Sequence, residues 1–338
     1  MSEWNPSLLL RVLLWPLSVV YSVVARARAL CYAKGWLTVN RLSAPVISVG
    51  NLTVGGTGKT PVVIWLAEKF VASGKRVAIL SRGYRGSGGT SDEIELMKHR
   101  LGAQVLFGVG KNRFAEGKPL ESQGVDIFIL DDGFQHMQLA RDFDIVLIDA
   151  SRPIDEEFLL PAGRLREPRS ALKRAGAVVL SRVENRAGKR KANGTLASLP
   201  VFIASTRLLG FRALAEDSAL RSAAEIGRGP FFAFCGIGNP EAFVHDLERW
   251  KIPVVGSMFF GDHHHYALKD VLAVEQAAKL LGAAVLITTE KDAQNLAGLE
   301  FRGVAKVLVA VIALDFPDEG GFLAAIDQAL VAHARAAA

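Results

Sequence analysis

Cysteine is almost absent from this 338-residue sequence: Cys31 and Cys235 stand alone, 204 positions apart. Two such residues frame neither a disulfide scaffold nor a cysteine-based zinc module, and a reduced, cytosolic setting is the default. An excess of one charge is also missing. Forty Lys and Arg against 34 Asp and Glu leave a formal +6. That suits an anionic partner without naming it, so phosphate, acidic lipid and nucleic acid all stay open. Aromatics are sparse at 8%, and the 32 glycines and 13 prolines are dispersed, which excludes collagenous and low-complexity chains. What remains is a globular composition, 50% hydrophobic and 22% charged, long enough for one large domain or two medium ones.

The N-terminus departs from that average. Pro6–Leu30 reads PSLLLRVLLWPLSVVYSVVARARAL, with only 14 uncharged residues between Arg11 and Arg26, Pro16 among them. A spanning helix needs roughly 18. A signal peptide fits poorly, because Arg26 and Arg28 follow the apolar run and no small-residue cleavage site precedes them. Residues 1–41 hold five basic side chains against one acid, Glu3. Apolar bulk, Trp15, Tyr21 and flanking arginines predict a segment over residues 1–30 lying in a membrane interface beside acidic head groups. The alternative is a helix packed into the fold.

Beyond residue 41 strands and helices alternate. Short apolar runs at Val46–Val49, Val77–Leu80, Val125–Leu130, Ile145–Ile148 and Val178–Leu180 read as strands of a parallel sheet covered on both faces. Pro61–Ser73 reads as a helix between two of them, with Pro61 in a first turn where its missing N–H does no harm. Val183–Ala197 is polar, basic and suited to a surface excursion. A second set of strands follows at Phe231–Cys235, Val254–Phe259, Val285–Thr288 and Val307–Ile312, and Asn239-Pro240 opens a helix toward Trp250. This is a doubly wound α/β grammar, with a soft boundary over residues 205–228.

The strongest chemical signal is Val49–Pro61, VGNLTVGGTGKTP. It follows a strand and opens a helix, the setting a P-loop requires. Backbone N–H groups of Thr53, Val54, Gly55, Gly56, Thr57 and Gly58 can cradle phosphate oxygens at a helix N-terminus. Lys59 would reach the β/γ phosphates and the Thr60 hydroxyl would bind Mg²⁺. The strict pattern has Gly where this chain has Thr53. Val125–His136, VDIFILDDGFQH, then ends an apolar strand in two carboxylates, 72 positions after Lys59 for the first. Asp131 or Asp132 would hold Mg²⁺ beside Thr60. Together the two motifs predict a Mg²⁺-dependent nucleoside triphosphate site.

Other motifs accompany them: LSRGYRG at Leu80–Gly86, SDE at Ser91–Glu93, LLPAGRLREP at Leu159–Pro168, Asp262-His263 within FFGDHHHY, and TTEKDA at Thr288–Ala293. With VGNLTVGGTGKTP and DDGFQH they closely resemble the tetraacyldisaccharide 4′-kinases, the lipid A 4′-kinase family of Gram-negative envelope biosynthesis. The resemblance runs from the apolar N-terminus to at least Ala293. It implies an α/β fold: a P-loop NTPase-like doubly wound parallel sheet, a second, smaller α/β domain, and an N-terminal membrane-associated helix. The expected division is 1–30 for the interface helix, 31–205 for the kinase core and 206–338 for the C-terminal domain closing over the site. The implied reaction moves the ATP γ-phosphate to the 4′-hydroxyl of an acylated glucosamine disaccharide 1-phosphate, giving lipid IVA, at the cytoplasmic face of the inner membrane in a peripheral or monotopic protein. ATP and Mg²⁺ are the implied co-substrate and ion; no nucleic acid and no obligate protein partner are expected.

Residue by residue, the resemblance assigns Thr53 to Thr60 to the nucleotide loop, with Thr at its first position part of that family's pattern. Asp131 and Asp132 match the acidic pair near the metal, and Asp92 and His263 match a catalytic dyad. Arg113, in GVGKNR, matches a basic position facing phosphate, with Arg82 and His136 as further candidates for substrate contact. The chain departs at Ser91, where the family usually has Gly, and at Gly261, often Pro there. Arg82, Arg85, Arg164 and Arg166 are either surface charges or contacts for anionic sugar phosphates. His263–His265 makes a poor metal site, since three consecutive imidazoles cannot face one way and no HExxH is near. A membrane-bound P-loop ATPase switch is the alternative function; the second Lys of its deviant P-loop is missing from GGTGKT.

Overall fold

A computed structural model of the chain describes residues 7–337 apart from 84–90, 153, 184–195, 197–198, 215–218 and 304–305. Two units emerge. The first runs through Ser205 and is rejoined from Leu314 onward, and the second is Thr206–Ala313.

The first unit contains α1 (Leu8–Ala33), β1 (Val46–Asn51), α2 (Lys59–Ala72), β2 (Val77–Ser81), α3 (Asp92–Leu101), β3 (Val105–Val109), α4 (Arg113–Glu121), β4 (Ile127–Asp131), β5 (Phe143–Asp149), β6 (Ala177–Ser181) and the start of β7 (Val201–Ala213). Its strands pair in parallel in the order β3-β2-β4-β1-β5-β6-β7. Ile47, Val49, Ile129 and Ile145 are buried on one face, and Val46, Phe128, Leu130 and Val146 on the other. Burial on both faces explains the unbroken apolar runs. The two strands that the sequence reading missed, β3 and β7, are only partly buried. Their residues lack that continuous signal.

The C-terminus overturns one expected boundary. The sequence reading put all of 206–338 in one domain, but the helix Glu319–Ala337 belongs to the first unit. Phe316, Phe322 and Ile326 are buried beside Val62, Trp65 and Phe202. The Trp65 ring lies 4.4 Å from Phe316 and 5.7 Å from Phe322, and Lys69 pairs with Glu319 at 2.5 Å. Burying each large apolar side chain contributes about 1.5–3 kcal/mol; the single surface ion pair is worth far less. Apolar burial therefore docks the helix.

The second unit holds β8 (Phe231–Cys235), α5 (Pro240–Arg249), β9 (Val254–Phe259), α6 (Leu268–Leu280), β10 (Val285–Thr289), α7 (Glu290–Asn295) and β11 (Lys306–Asp315). Its parallel order is β11-β10-β8-β9. As the sequence suggested, the Asn239 side chain caps α5, accepting from the Ala242 N–H at 3.2 Å, and Pro240 fills the first turn.

Helix α1 occupies most of the apolar segment expected over residues 1–30 and extends past it to Ala33. It runs unbroken for 26 residues through Pro16, long and apolar enough to cross a membrane by length and composition. One stripe faces the protein: Ser18 is buried, its hydroxyl donating to the Leu159 carbonyl at 3.0 Å and accepting from the Ala162 N–H at 2.9 Å. The Tyr21 hydroxyl donates to the Arg166 carbonyl at 2.9 Å. The remaining circumference leaves Leu9, Leu13, Val20 and Val24 exposed. The alternative of a helix packed into the fold thus holds for one stripe only.

Candidate active site

Strand β1 delivers the nucleotide loop, and its last residue organises the loop's surroundings. The Asn51 side chain is fully buried. Its Nδ2 donates to the Thr57 hydroxyl at 2.9 Å, and its Oδ1 accepts from Lys59 Nζ at 3.4 Å and from the Arg166 guanidinium. Asn51 escaped the sequence reading; the available signal was an amide closing an apolar strand directly before a Gly-rich loop. Ahead of the loop, Leu52 and Val54 are zipped to LLPAGRLREP: the Arg166 N–H donates to the Leu52 carbonyl at 2.7 Å, and the Val54 N–H to the Arg164 carbonyl at 2.8 Å. Thr53 bridges Leu165. The Val54 N–H is thereby engaged, leaving the exposed stretch Gly55–Gly56 and the start of α2 as the open cradle. Gly58 takes φ 84° at the N-cap. Thr60 stands in the first turn beside Lys59.

Register brings the carboxylates to this loop, because Val49 of β1 lies opposite Asp131 of β4. The approach is close: a Cβ on Gly50 would fall 2.6 Å from the Phe134 Cβ, so only glycine lets the DDGF turn pack there. Asp131 is buried and accepts from the Ser81 hydroxyl at 2.9 Å. Burial, then the neighbouring Asp132 charge, pushes its carboxyl up to about 6. Asp132, at φ 48°, has the opposite setting. Arg166 grips both its oxygens at 2.8 and 2.9 Å and Lys59 lies 3.4 Å away. These cations outweigh burial and hold the carboxyl well below the usual range.

Asp131 therefore works against stability. A carboxyl raised above its unfolded value favours the folded state fully below the unfolded value, and that contribution is lost as pH climbs through the folded one. Asp131→Asn keeps an acceptor for Ser81 and removes the buried charge. In nucleotide-free protein it is expected to raise Tm by a few degrees at pH 7.5 and to change it little at pH 4, measured by thermal denaturation. An unchanged or lower Tm at pH 7.5 would refute the assignment.

The cationic candidates divide. Arg113, first residue of α4, is 6% exposed; one guanidinium nitrogen donates to the Lys111 carbonyl at 3.2 Å, and its Nε has no hydrogen-bond partner. Burial and then Arg82 lower its pKa, with Asp132 and Asp131 opposing. His136 is pushed down to about 4 by burial, then by the fields of Arg113, Arg141, Arg28 and Arg82. It is a neutral imidazole at pH 7 within a positive region. Arg164 and Arg166 are not surface charges: they pair with Glu157 at 2.7 Å and with Asp132. Arg85 lies outside the described residues, as do Lys189–Lys191.

Asp92 begins α3 behind Ser91, is 8% exposed, and shares the first turn with Glu93 and Glu95. His263 belongs to the second unit. Its backbone takes φ 59°, and its Nε2 lies 3.4 Å from Lys291 Nζ, which also sits 2.9 Å from Asp262 Oδ1. The adjacent Asp292 is buried and collects the Gly236 N–H at 2.7 Å and the Tyr266 hydroxyl at 2.8 Å, with Thr289 Oγ1 at 2.6 Å. His264 stacks on Phe260 at 4.7 Å and meets Asp270 at 3.1 Å. His263 and His264 thus face different partners, and no group of three or more potential metal ligands occurs among the described residues.

A Gly-rich loop between strand and helix, an invading lysine and a strand-end carboxylate pair on a parallel sheet define a P-loop phosphotransferase core. The sequence profile of Tetraacyldisaccharide-1-P 4′-kinase, LpxK, matches residues 10–331, and the chain belongs to that family. A tetraacyldisaccharide 4′-kinase of Geobacter metallireducens is 38% identical over 340 residues, spanning 95% of this chain and 99% of the relative. One from Geobacter sulfurreducens is 40% identical over 331 residues, spanning 93% and 92%. Among solved structures, LpxK from Aquifex aeolicus in complex with ATP superposes with a TM-score of 0.75 at 31% identity, over 95% of this chain and 99% of that one.

Proposed function

We propose that this chain transfers the γ-phosphoryl group of ATP to the 4′-hydroxyl of tetraacyldisaccharide 1-phosphate, forming lipid IVA. The convergence of Lys59 and Arg166 on both Asn51 and Asp132 at the mouth of the loop carries this reading. Lys59 would take the β/γ phosphates, and the Gly55–Gly58 backbone would receive the remaining phosphate oxygens. Thr60 and the Asp131–Asp132 pair form a hard oxygen donor set that fits Mg²⁺. Bound there, the ion would neutralise phosphate charge. Arg113, with its unpartnered Nε, and Arg82 would face substrate phosphate. Neutral His136 would offer one donor and one acceptor. Asp92 would accept the hydroxyl proton as the 4′-oxygen bonds to phosphorus and ADP departs, with His263 as the second member of the catalytic pair.

Purified protein is expected to turn over ATP only when the acylated disaccharide 1-phosphate is supplied in mixed micelles, with product gaining one phosphate by mass. ATP hydrolysis unaffected by lipid acceptor would instead favour the switch ATPase.

The exposed apolar circumference of α1 supports a peripheral place at a membrane surface; on the proposed reading that surface is the cytoplasmic face of the inner membrane. Contacts at Ser18, Tyr21 and Arg28 hold the helix along the protein. A helix held in this way lies on a bilayer more readily than it crosses one. Replacing Leu13, Val20 and Val24 together by Glu is expected to abolish sedimentation with anionic phospholipid vesicles and leave Tm unchanged. Retained vesicle binding would overturn the assignment.

A further inference from the structure

The TTEKDA segment has no part in the chemistry described so far, yet two of its neighbouring residues grip His263 from different sides. Asp292 works through the backbone. Its Oδ1 accepts from the Gly236 N–H at 2.7 Å, and the Gly236 carbonyl accepts from the His263 N–H at 3.2 Å. Gly236 is closely packed: an added Cβ would sit 3.0 Å from both the Gly261 carbonyl oxygen and the His264 Cβ, and those neighbours would have to give way. The left-handed φ of 59° at His263 is uncommon for a side-chain-bearing residue and persists only where its surroundings impose it. Gly236 and Asp292 supply that imposition, and Tyr266 and Thr289 hold the Asp292 carboxylate in turn.

Lys291 works through the ring. Its ammonium lies 2.9 Å from Asp262 Oδ1 and 3.4 Å from His263 Nε2. An ammonium has three donors and no acceptor. The imidazole nitrogen facing it must therefore present a lone pair, which leaves the ring proton on Nδ1. Asp262 Oδ2, at 3.8 Å from Nε2, is too far to hydrogen-bond it. His264 is committed elsewhere, to Phe260 and Asp270, so of the two rings His263 alone answers to Lys291.

We propose that Lys291 is a positioning residue for the kinase reaction, holding the His263 ring as the neutral Nδ1–H tautomer with Asp262 as its anchor. This rests on the reading of His263 as a member of the catalytic pair. Its consequence is directional: with Nε2 facing Lys291, the ring's single proton sits on Nδ1.

Long-range ¹⁵N–¹H correlation spectra of ¹⁵N-histidine-labelled full-length protein at pH 7.5 test the tautomer, with His263→Gln assigning the signals. The expected wild-type pattern is a protonated Nδ1 and a pyridine-like Nε2; an Nε2–H or imidazolium pattern overturns the proposal, and this needs no variant that must fold. Lys291→Met is expected to redistribute that pattern and lower kcat about 10- to 100-fold, the usual penalty for a misplaced reacting group, with KM for ATP nearly unchanged. Lys291→Arg, which keeps a cationic donor, should recover most of the loss. A folded Lys291→Met protein with wild-type spectrum and kcat refutes it. Should His263→Ala retain full activity, the catalytic pair fails while the tautomer still stands; the two failures are separable.

Discussion

Lys59→Ala is expected to lower phosphoryl transfer by at least about 10³-fold while the protein still folds. Deleting one preorganised donor at a developing charge typically lowers kcat by about 10²–10³-fold. Lys59 carries a full positive charge and is 19% exposed, which places it at the upper end. Folding should survive because Lys59 lies in the first turn of α2, while the buried face of that helix, from Val62 to Phe70, is untouched. Asp132 also keeps its two-pronged bond from Arg166, so its charge is not stranded. The checks are kcat on the acylated disaccharide and a melting curve. A folded variant with near-wild-type turnover would defeat the assignment of the nucleotide site.

Which features the sequence revealed depends on the range of the forces involved. The strand–loop–helix around VGNLTVGGTGKTP is local, and its apolar run, glycines and lysine announce it directly. The DDGFQH pair is equally local, but the division of labour within it is not. Asp131 is buried as the last residue of β4, whereas Asp132 is ion-paired because Arg166, 34 positions downstream, returns to the loop. Neither arginine of LLPAGRLREP gives any sign of its partner in the sequence. The same holds for the C-terminal helix: Phe316 and Phe322 advertise an apolar face, and only the tertiary cluster around Trp65 says which sheet receives it. Pro16 is accommodated for a related reason. Proline disfavours a helix interior in isolation, yet the Ser18 and Tyr21 contacts to the protein hold the turns beyond it.

Asp92 and His263 carry the remaining large effect. A sugar hydroxyl is far too weak an acid to ionise at pH 7, so attack on the γ-phosphate gains from an acceptor within hydrogen-bond reach. The strand-end carboxylates are ill suited to accept that proton, since Asp132 is clamped by Arg166 and Lys59, and Asp131 is buried against Ser81. Asp92 is a buried carboxylate at the start of α3, and His263 is held in the second unit by Lys291 at its ring and by Gly236 at its backbone. Asp92 belongs to the first unit and His263 to the second. Asp92→Ala and His263→Ala are each expected to lower kcat by roughly 10²-fold or more, with little change in KM for ATP, since neither belongs to the nucleotide loop. The double variant should be scarcely slower than either single one, because groups that act as a unit are not additive. Steady-state kinetics of the three variants decide the matter: fully multiplicative losses, or a large rise in KM for ATP alone, would show that the two residues do not act as a pair.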